Sequence, residues 1–284
     1  MHILVLSPRV APGLLTLAAW DVLRAATVVT AAADDAHTSA IRAVGIDITV
    51  AEQPAFVPDT VWIAPPGQVR WAQELADDLV HGHDERFVEV MFGSYELPGS
   101  ALLDVVDVMD RLRRECPWTR EQTHATLAPY LLEEAHETLE ALDTQDWDLL
   151  CEELGDLLMQ IVFHARIAAE QHGWDIDDVA QGIAHKLIRR SPHVFADGQA
   201  ATADDVDAAW QAIKATEKRR AKVDDGIAAT LPALAYADKV AGRMGLEQVA
   251  GDDVGSRLLA EVLKARAQGV DAEQALRQRV RALL

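Results

Sequence analysis

The chain has 284 residues, half of them hydrophobic, enough for one large domain or two ordinary ones. Its formal net charge is −20, which excludes a nucleic-acid partner unless a basic patch is segregated. The same charge leaves a nucleotide open, because bound cations bridge protein acids to phosphates.

Two cysteines, Cys116 and Cys151, make no Cys-x-x-Cys pair, so a reducing, cytoplasmic setting is expected. No apolar run approaches the roughly 20 residues that span a bilayer, so no membrane partner is expected. The start, MHILVLSPRV, reads as a strand and not as a signal peptide. Short β-branched runs follow: HILVLS, TVVTA, IDITV, VWIAP and RFVEVMF. They alternate with amphipathic stretches near 14–26, 37–44 and 67–80. That pattern predicts a small α/β domain with a mainly parallel sheet over 1–95. GSYELPGS (93–100) has the turn chemistry of a boundary. Helical patterns then take over, so the expected fold class is α+β and multidomain, with an all-α bundle after the α/β region.

ALLDVVDVMDRLRR (101–114) has helical spacing, and CPW breaks it. The next helix is predicted from near Thr126 to about Leu142, with Pro129 in its first turn. Asp143 and Asp146 punctuate a short turn, and Asp146 caps a long helix ending near Gly173. Asp175 or Asp177 caps another, to about Arg190. SPHVFADG is predicted as a loop. Thr202 and Asp205 resemble a capping box with aspartate in the glutamate position, opening a helix through Trp210 to about Lys222. The run EKRRAK (217–222) reads as its solvated end. A polar break follows, and helices near 252–268 and 271–283 close the chain.

The stretch from Glu133 to Asp156 concentrates the chemistry. Residues three apart on a helix share a side, so Glu134 pairs with Glu137, and Glu153 with Asp156. A short turn makes the two helices antiparallel neighbours, and the pairs then face each other. Two unit charges 4 Å apart interact by about 4 kcal/mol at an effective dielectric near 20. Such a group persists if some acids are protonated or if cations sit among them. Oxygen-only ligands suit hard ions, Mg²⁺ or Mn²⁺. Pattern alone leaves two readings open, a solvated acidic face and a metal site. Gly155, a glycine within a helix, suggests a close backbone approach there. Glu133 and His136 form one half of a di-iron Glu-x-x-His signature. The second helix offers Glu153-x-x-Asp156 in place of the other half, which leaves His136 as a partly buried supporting residue.

EEAHE, a spacer and then EELGD resemble the MazG family of all-α nucleoside triphosphate pyrophosphohydrolases. The flanks VMDRLRRECPWTREQTHATLAPYLLEEAHE and KLIRRSPHVF extend the likeness over about 97–220. The resemblance implies a dimerising helical bundle over 97–222, with Mg²⁺ at Glu134, Glu137, Glu153 and Asp156. It implies cleavage of a (deoxy)nucleoside triphosphate to monophosphate and pyrophosphate, a nucleotide-pool house-cleaning role. Glu133 and Glu152 are then supporting acids, one of which positions or activates water. By the same resemblance Lys186, Arg190, Trp210 and Lys214 contact the substrate's phosphates and base end. Trp118, Glu121 and Gln122 form a nucleoside-side wall. Taken alone, these basic residues complement a helix terminus or sit in solvent.

SPRVAPGLLTLAAWDVLRAATVV resembles the opening of a tetrapyrrole methylase domain, with Ser7-Pro8-Arg9 where that family has a glycine-rich loop. Residues 226–284 resemble parts of a second MazG repeat without its acids. They are expected to pack on the bundle or to support a homodimer or higher homo-oligomer. The rival reading from another class is a nucleotide-binding regulator with vestigial catalysis.

Overall fold

The computed structural model describes residues 1–31, 35–83, 85–217 and 222–283. The chain forms two compact units, Met1–Gln122 and Thr123–Leu284.

The first unit is an α/β layer. Strands β1 (His2–Val5), β2 (Thr27–Thr30), β3 (Ile48–Val50), β4 (Thr60–Ile63) and β5 (Glu89–Phe92) lie in the order β3-β2-β4-β1-β5. All pairings are parallel. Helices α1 (Leu17–Ala25), α2 (Ala36–Ala43) and α3 (Val69–Val80) connect them, and α4 (Leu102–Glu115) and α5 (Pro117–Glu121) follow. Side chains alternate across a strand, so β1 feeds two cores. Leu4 and Leu6 pack with Leu23, Ile41 and Val61. Ile3 and Val5 pack with Ala64 and Ala72. Burial on both faces is why the predicted strands are near-continuous apolar runs.

β1 ends at Val5. Beyond it the Ser7 backbone N–H donates to Ser94 Oγ at 2.8 Å, and Ser7 Oγ donates to Glu96 at 2.6 Å. Arg9 pairs with Glu96 at 2.6 Å and with Asp104 at 2.5 Å. These bonds hold both carboxyls below their ordinary range, Glu96 chiefly through Ser7 and Asp104 chiefly through Arg9. Ser7-Pro8-Arg9 is thus engaged by the chain's own side chains.

The second unit is helical: α6 (His124–Thr144), α7 (Trp147–Gln171), α8 (Ile176–Arg190), α9 (Pro192–Phe195), α10 (Ala203–Glu217), α11 (Ala233–Met244), α12 (Val254–Ala267) and α13 (Ala272–Arg281). α6 and α7 form an antiparallel hairpin. Only Gln145, in the left-handed region at φ 57°, and Asp146 join them. Asp146 accepts from the Leu149 N–H, the predicted cap. At the far end His124 and His164 meet through their Nδ1 atoms at 2.7 Å. Their rings are parallel within 1°, and one nitrogen donates while the other accepts. Burial first, and His124 second, push the His164 pKa down. Phe163, Ile167, Ala168 and Leu127 are buried around this hairpin. α13 is fastened to α6 by Arg281, which pairs with Asp143 at 2.7 Å and with Glu140. Gln274 also donates to Asp143. Asp143, expected only to punctuate a turn, is a docking residue.

Several boundaries differ from expectation. α6 starts at His124 because Thr123 and Thr126 cap each other reciprocally, at 3.2 and 2.9 Å. Threonine takes the place usual for glutamate, and Pro129 falls beyond the first turn. SPHVFADG holds the single-turn α9, opened by Pro192 at its first position. α11 was not expected; Pro232 precedes it and left-handed Gly245 ends it. The Thr202–Asp205 box forms as expected. α10 is described to Glu217, and 218–221 of the EKRRAK run lie outside the described residues. Among the described residues, no helix is long and apolar enough to cross a membrane.

Gly93 follows β5, and its N–H donates to Val5 O at 2.9 Å. A Cβ there would lie 2.5 Å from Leu6 Cδ2 and 3.0 Å from Leu4 Cδ1, both in the closed core. Gly93→Ala should therefore cost about 1–3 kcal/mol of overpacking. The expected result is a lower urea midpoint at unchanged m-value; an unaltered midpoint would mean that this core yields.

Candidate functional site

α6 carries Glu134 and Glu137 on one side, and α7 carries Glu153 and Asp156. The hairpin brings the two rows together. One carboxylate oxygen each from Glu134, Glu137 and Glu153 lie within 4.8 Å of one another. Asp156 stands outside that trio, yet its charge acts on both Glu134 and Glu153. Glu153 is buried, with 9% of its surface exposed. Glu134 is half-buried, and Glu137 is exposed.

The electrostatics follow from this crowding. Burial, then the charges of Asp156 and Glu137, pushes the Glu134 pKa up. Burial, then Glu137 and Asp156, does the same for Glu153. Among the described residues no lysine or arginine pairs with any of the four. Burial and mutual repulsion without a protein cation is the environment that a hard divalent ion relieves, and the donor set is all oxygen. The residues fit such an ion. Glu133 and Glu152 are exposed beside them, as is His136, which was expected to be partly buried. Gly155 faces open space: a Cβ placed there would meet no neighbouring atom within 4 Å, so the expected close approach is not made by this chain.

The proposed substrate side is partly assembled. Arg190, at the end of α8, lies 5.2 Å over the ring of Trp210 on α10. Both Arg189 and Arg190 bind Glu217, at 2.7 and 2.5 Å. Hydrogen bonds from Arg190 and then Arg189 pull the Glu217 pKa down to about 2. Glu217 was missed, although a signal existed. An acid at the last turn of a helix opposes the helix dipole, so its place there calls for a cationic partner. Lys186 is exposed on α8 and forms no ion pair with a described residue. Lys214 lines a cleft that α10 shares with α11 and α12. In the first unit Trp118 and Glu121 are exposed, and Gln122 donates from Nε2 to the Trp118 carbonyl at 3.0 Å.

Comparison with known proteins adds to this geometry. Residues 122–195 match the family described as the MazG nucleotide pyrophosphohydrolase domain. A protein from Streptomyces cacaoi, described as an uncharacterized 26.1 kDa protein in the blaB 3′ region, is 48% identical over 199 residues. That alignment covers 67% of this chain and 82% of the relative. The nucleoside triphosphate pyrophosphohydrolase of Mycobacterium tuberculosis is 49% identical over 51% of this chain and 45% of its own length. The Escherichia coli protein of the same name is 47% identical over 49% of this chain and 55% of its own length. The chain thus spans about half the length of the named pyrophosphohydrolases it matches.

Carboxyls whose folded pKa is raised make the fold gain stability as pH falls through that raised value. The gain is complete below the ordinary 4.5. On acidifying from pH 7 toward 5 without metal, the melting temperature should therefore gain relative to that of Glu134→Gln, offset in both proteins by the depressed pKa of His164, and Mg²⁺ at pH 7 should supply the same relief. At 100 times its Kd the ion contributes about 2.7 kcal/mol. Glu134→Gln should weaken both effects. A melting temperature indifferent to Mg²⁺ in the unsubstituted protein would remove the cation site.

Proposed function

The chain belongs to the MazG nucleotide pyrophosphohydrolase family, and on that footing we propose that it hydrolyses (deoxy)nucleoside triphosphates to monophosphate and pyrophosphate at the α6–α7 seam. The observation that carries this reading is the trio of carboxylate oxygens within 4.8 Å of one another on two packed helices. Glu134, Glu137, Glu153 and Asp156 would hold Mg²⁺, or Mn²⁺ in its place. The bound ion supplies charge neutralisation of the triphosphate and a lowered pKa of coordinated water.

The chain's own groups do the rest. Glu133 and Glu152 each immediately precede one of the two acid pairs in sequence, and one of them takes the proton of the attacking water. Lys186 and Arg190 supply positive charge toward the phosphates. Glu217 holds Arg190 against Trp210, so the guanidinium is fixed before substrate arrives and little side-chain entropy is lost on binding. Trp210 offers a ring face toward the base end. Lys214 joins this set through the family resemblance. No covalent nucleophile is needed. The cellular role in this reading is removal of ordinary or damaged nucleotides in the cytoplasm.

The same reading includes a homodimer. Leu132, Leu139 and Leu142 on α6 and Leu154 and Ile161 on α7 are exposed, more apolar surface than a lone hairpin leaves to water without a covering partner. Light scattering at micromolar concentration should give twice the 31.0 kDa chain mass or a higher multiple. The monomer mass would end this part of the reading.

The activity is tested by incubating the protein with a panel of nucleoside triphosphates and Mg²⁺ and resolving the products. Monophosphate with pyrophosphate is expected, and Glu153→Gln should lower kcat about a hundredfold or more with its circular dichroism unchanged. Diphosphate with orthophosphate would mean that another bond is cleaved. Nucleotide binding without turnover would favour the regulator.

A further inference from the structure

A second feature stands apart from the acidic hairpin in chemistry. α10, α11 and α12, with the 226–231 segment, line a cleft of about 500 Å³, within the size range of small-molecule sites. In a chain of net charge −20, its walls carry Lys214, Lys239, Arg243 and Arg266 against Asp207 and Asp238. Asp238 is already matched, since its Oδ1 lies 2.8 Å from Arg266 Nη1. Asp207 accepts from Gln211. Lys214 and Lys239 form no ion pair with a described residue. The lining is therefore locally cationic, the reverse of the molecule as a whole.

The arginine is built into place. Gly242 lies inside α11, where a glycine costs about 1 kcal/mol relative to alanine. A Cβ at that position would lie 2.6 Å from the Arg266 guanidinium carbon. Gly155 and Gly182, also inside helices, meet nothing within 4 Å. At 242 the missing side chain is what lets a guanidinium lie flat on the helix, with its Nη1 committed to Asp238. Arg243 donates from Nη1 to the carbonyls of Val223 and Asp225, at 2.8 and 2.6 Å. It thereby fastens the segment leading into Gly226 as the cleft's rim. Ile227 and Leu231 add an apolar stretch to the same lining.

We propose that this cleft is a second ligand site, for a phosphomonoester. Its phosphate sits among Lys214, Lys239 and Arg266, and its organic part lies over Ile227 and Leu231. A doubly charged, compact anion matches two uncommitted ammonium groups and a prepositioned guanidinium. The apolar stretch distinguishes an organic phosphate from an inorganic one. The site needs none of the four acids and no metal; it shares Lys214 with the substrate set proposed above, whereas Lys239 and Arg266 line this cleft and lie outside that set, so the two readings are tested apart.

The test is calorimetric titration of the whole protein with adenosine 5′-monophosphate, pyrophosphate and inorganic phosphate, in excess EDTA so that divalent cations are absent. The monophosphate should bind, and bind more tightly than phosphate or pyrophosphate. Lys239→Glu should weaken it by at least about tenfold, as should Gly242→Ala, which displaces Arg266. Lys239→Gln, the milder change, should weaken it less. Glu153→Gln should bind like the unsubstituted protein. Thermal melts on each variant separate lost folding from lost affinity. Absence of binding in EDTA would overturn the proposal, as would affinity unchanged by Lys239→Glu. Binding lost in Glu153→Gln would place the ligand at the acidic hairpin. Phosphate binding as tightly as the monophosphate would reduce the cleft to an inorganic-anion site and end the proposal in this form.

Discussion

Repulsion among carboxylates is the constraint that organises the helical unit. Burial, and then the charges of Glu137 and Asp156 beside them, raises the cost of ionising Glu134 and Glu153. Among the described residues no cation pairs with the four acids, so the hairpin must be held closed from elsewhere. The means are visible at both ends. At one, a two-residue turn and the Asp146 cap fix α6 to α7, and Arg281 reaches back from α13 to Asp143 and Glu140. At the other, His124 and His164 join through a shared proton, over a buried layer that includes Phe163 and Ile167. Free energy from packing is spent to keep like charges together, which is the usual mark of a site whose purpose lies outside stability.

What was legible in the sequence depended on range. The strands were, because a sheet covered on both faces writes short apolar runs between turn residues. The acid pairs were, because spacing of three on a helix and a short turn are local facts. The start of α6 was misplaced because its cap uses Thr126 where glutamate is usual. α11 was missed because its interior holds Gly242, a poor helix former. Glu217 and the Arg266 seat were out of reach for a different reason. Their partners lie 27 and 28 residues away on other helices, and no periodicity encodes such a pairing.

Two glycines show how a single letter can carry opposite meanings. Gly155, two residues after Glu153, invited a close-approach reading from its neighbours, and it opens onto space. Gly242 drew no notice among ordinary neighbours, yet it is the position where a side chain would strike a guanidinium. Helical glycines divide into those that admit another group of the same chain and those that leave a surface bare. Only three-dimensional neighbours tell them apart.

The turn at Gln145–Asp146 also works as a vernier. Glu137 lies eight residues before Gln145, and Glu153 seven after Asp146; Glu134 lies eleven before, and Asp156 ten after. The two rows of acids are thus offset by the same single residue at both rungs, measured from one pivot. One residue added to the end of either helix would slide its row by about 1.5 Å and swing it by about 100°. The length of this turn is therefore tied to the meeting of the two acid rows, and within it Asp146 is tied as well, because its side chain caps α7.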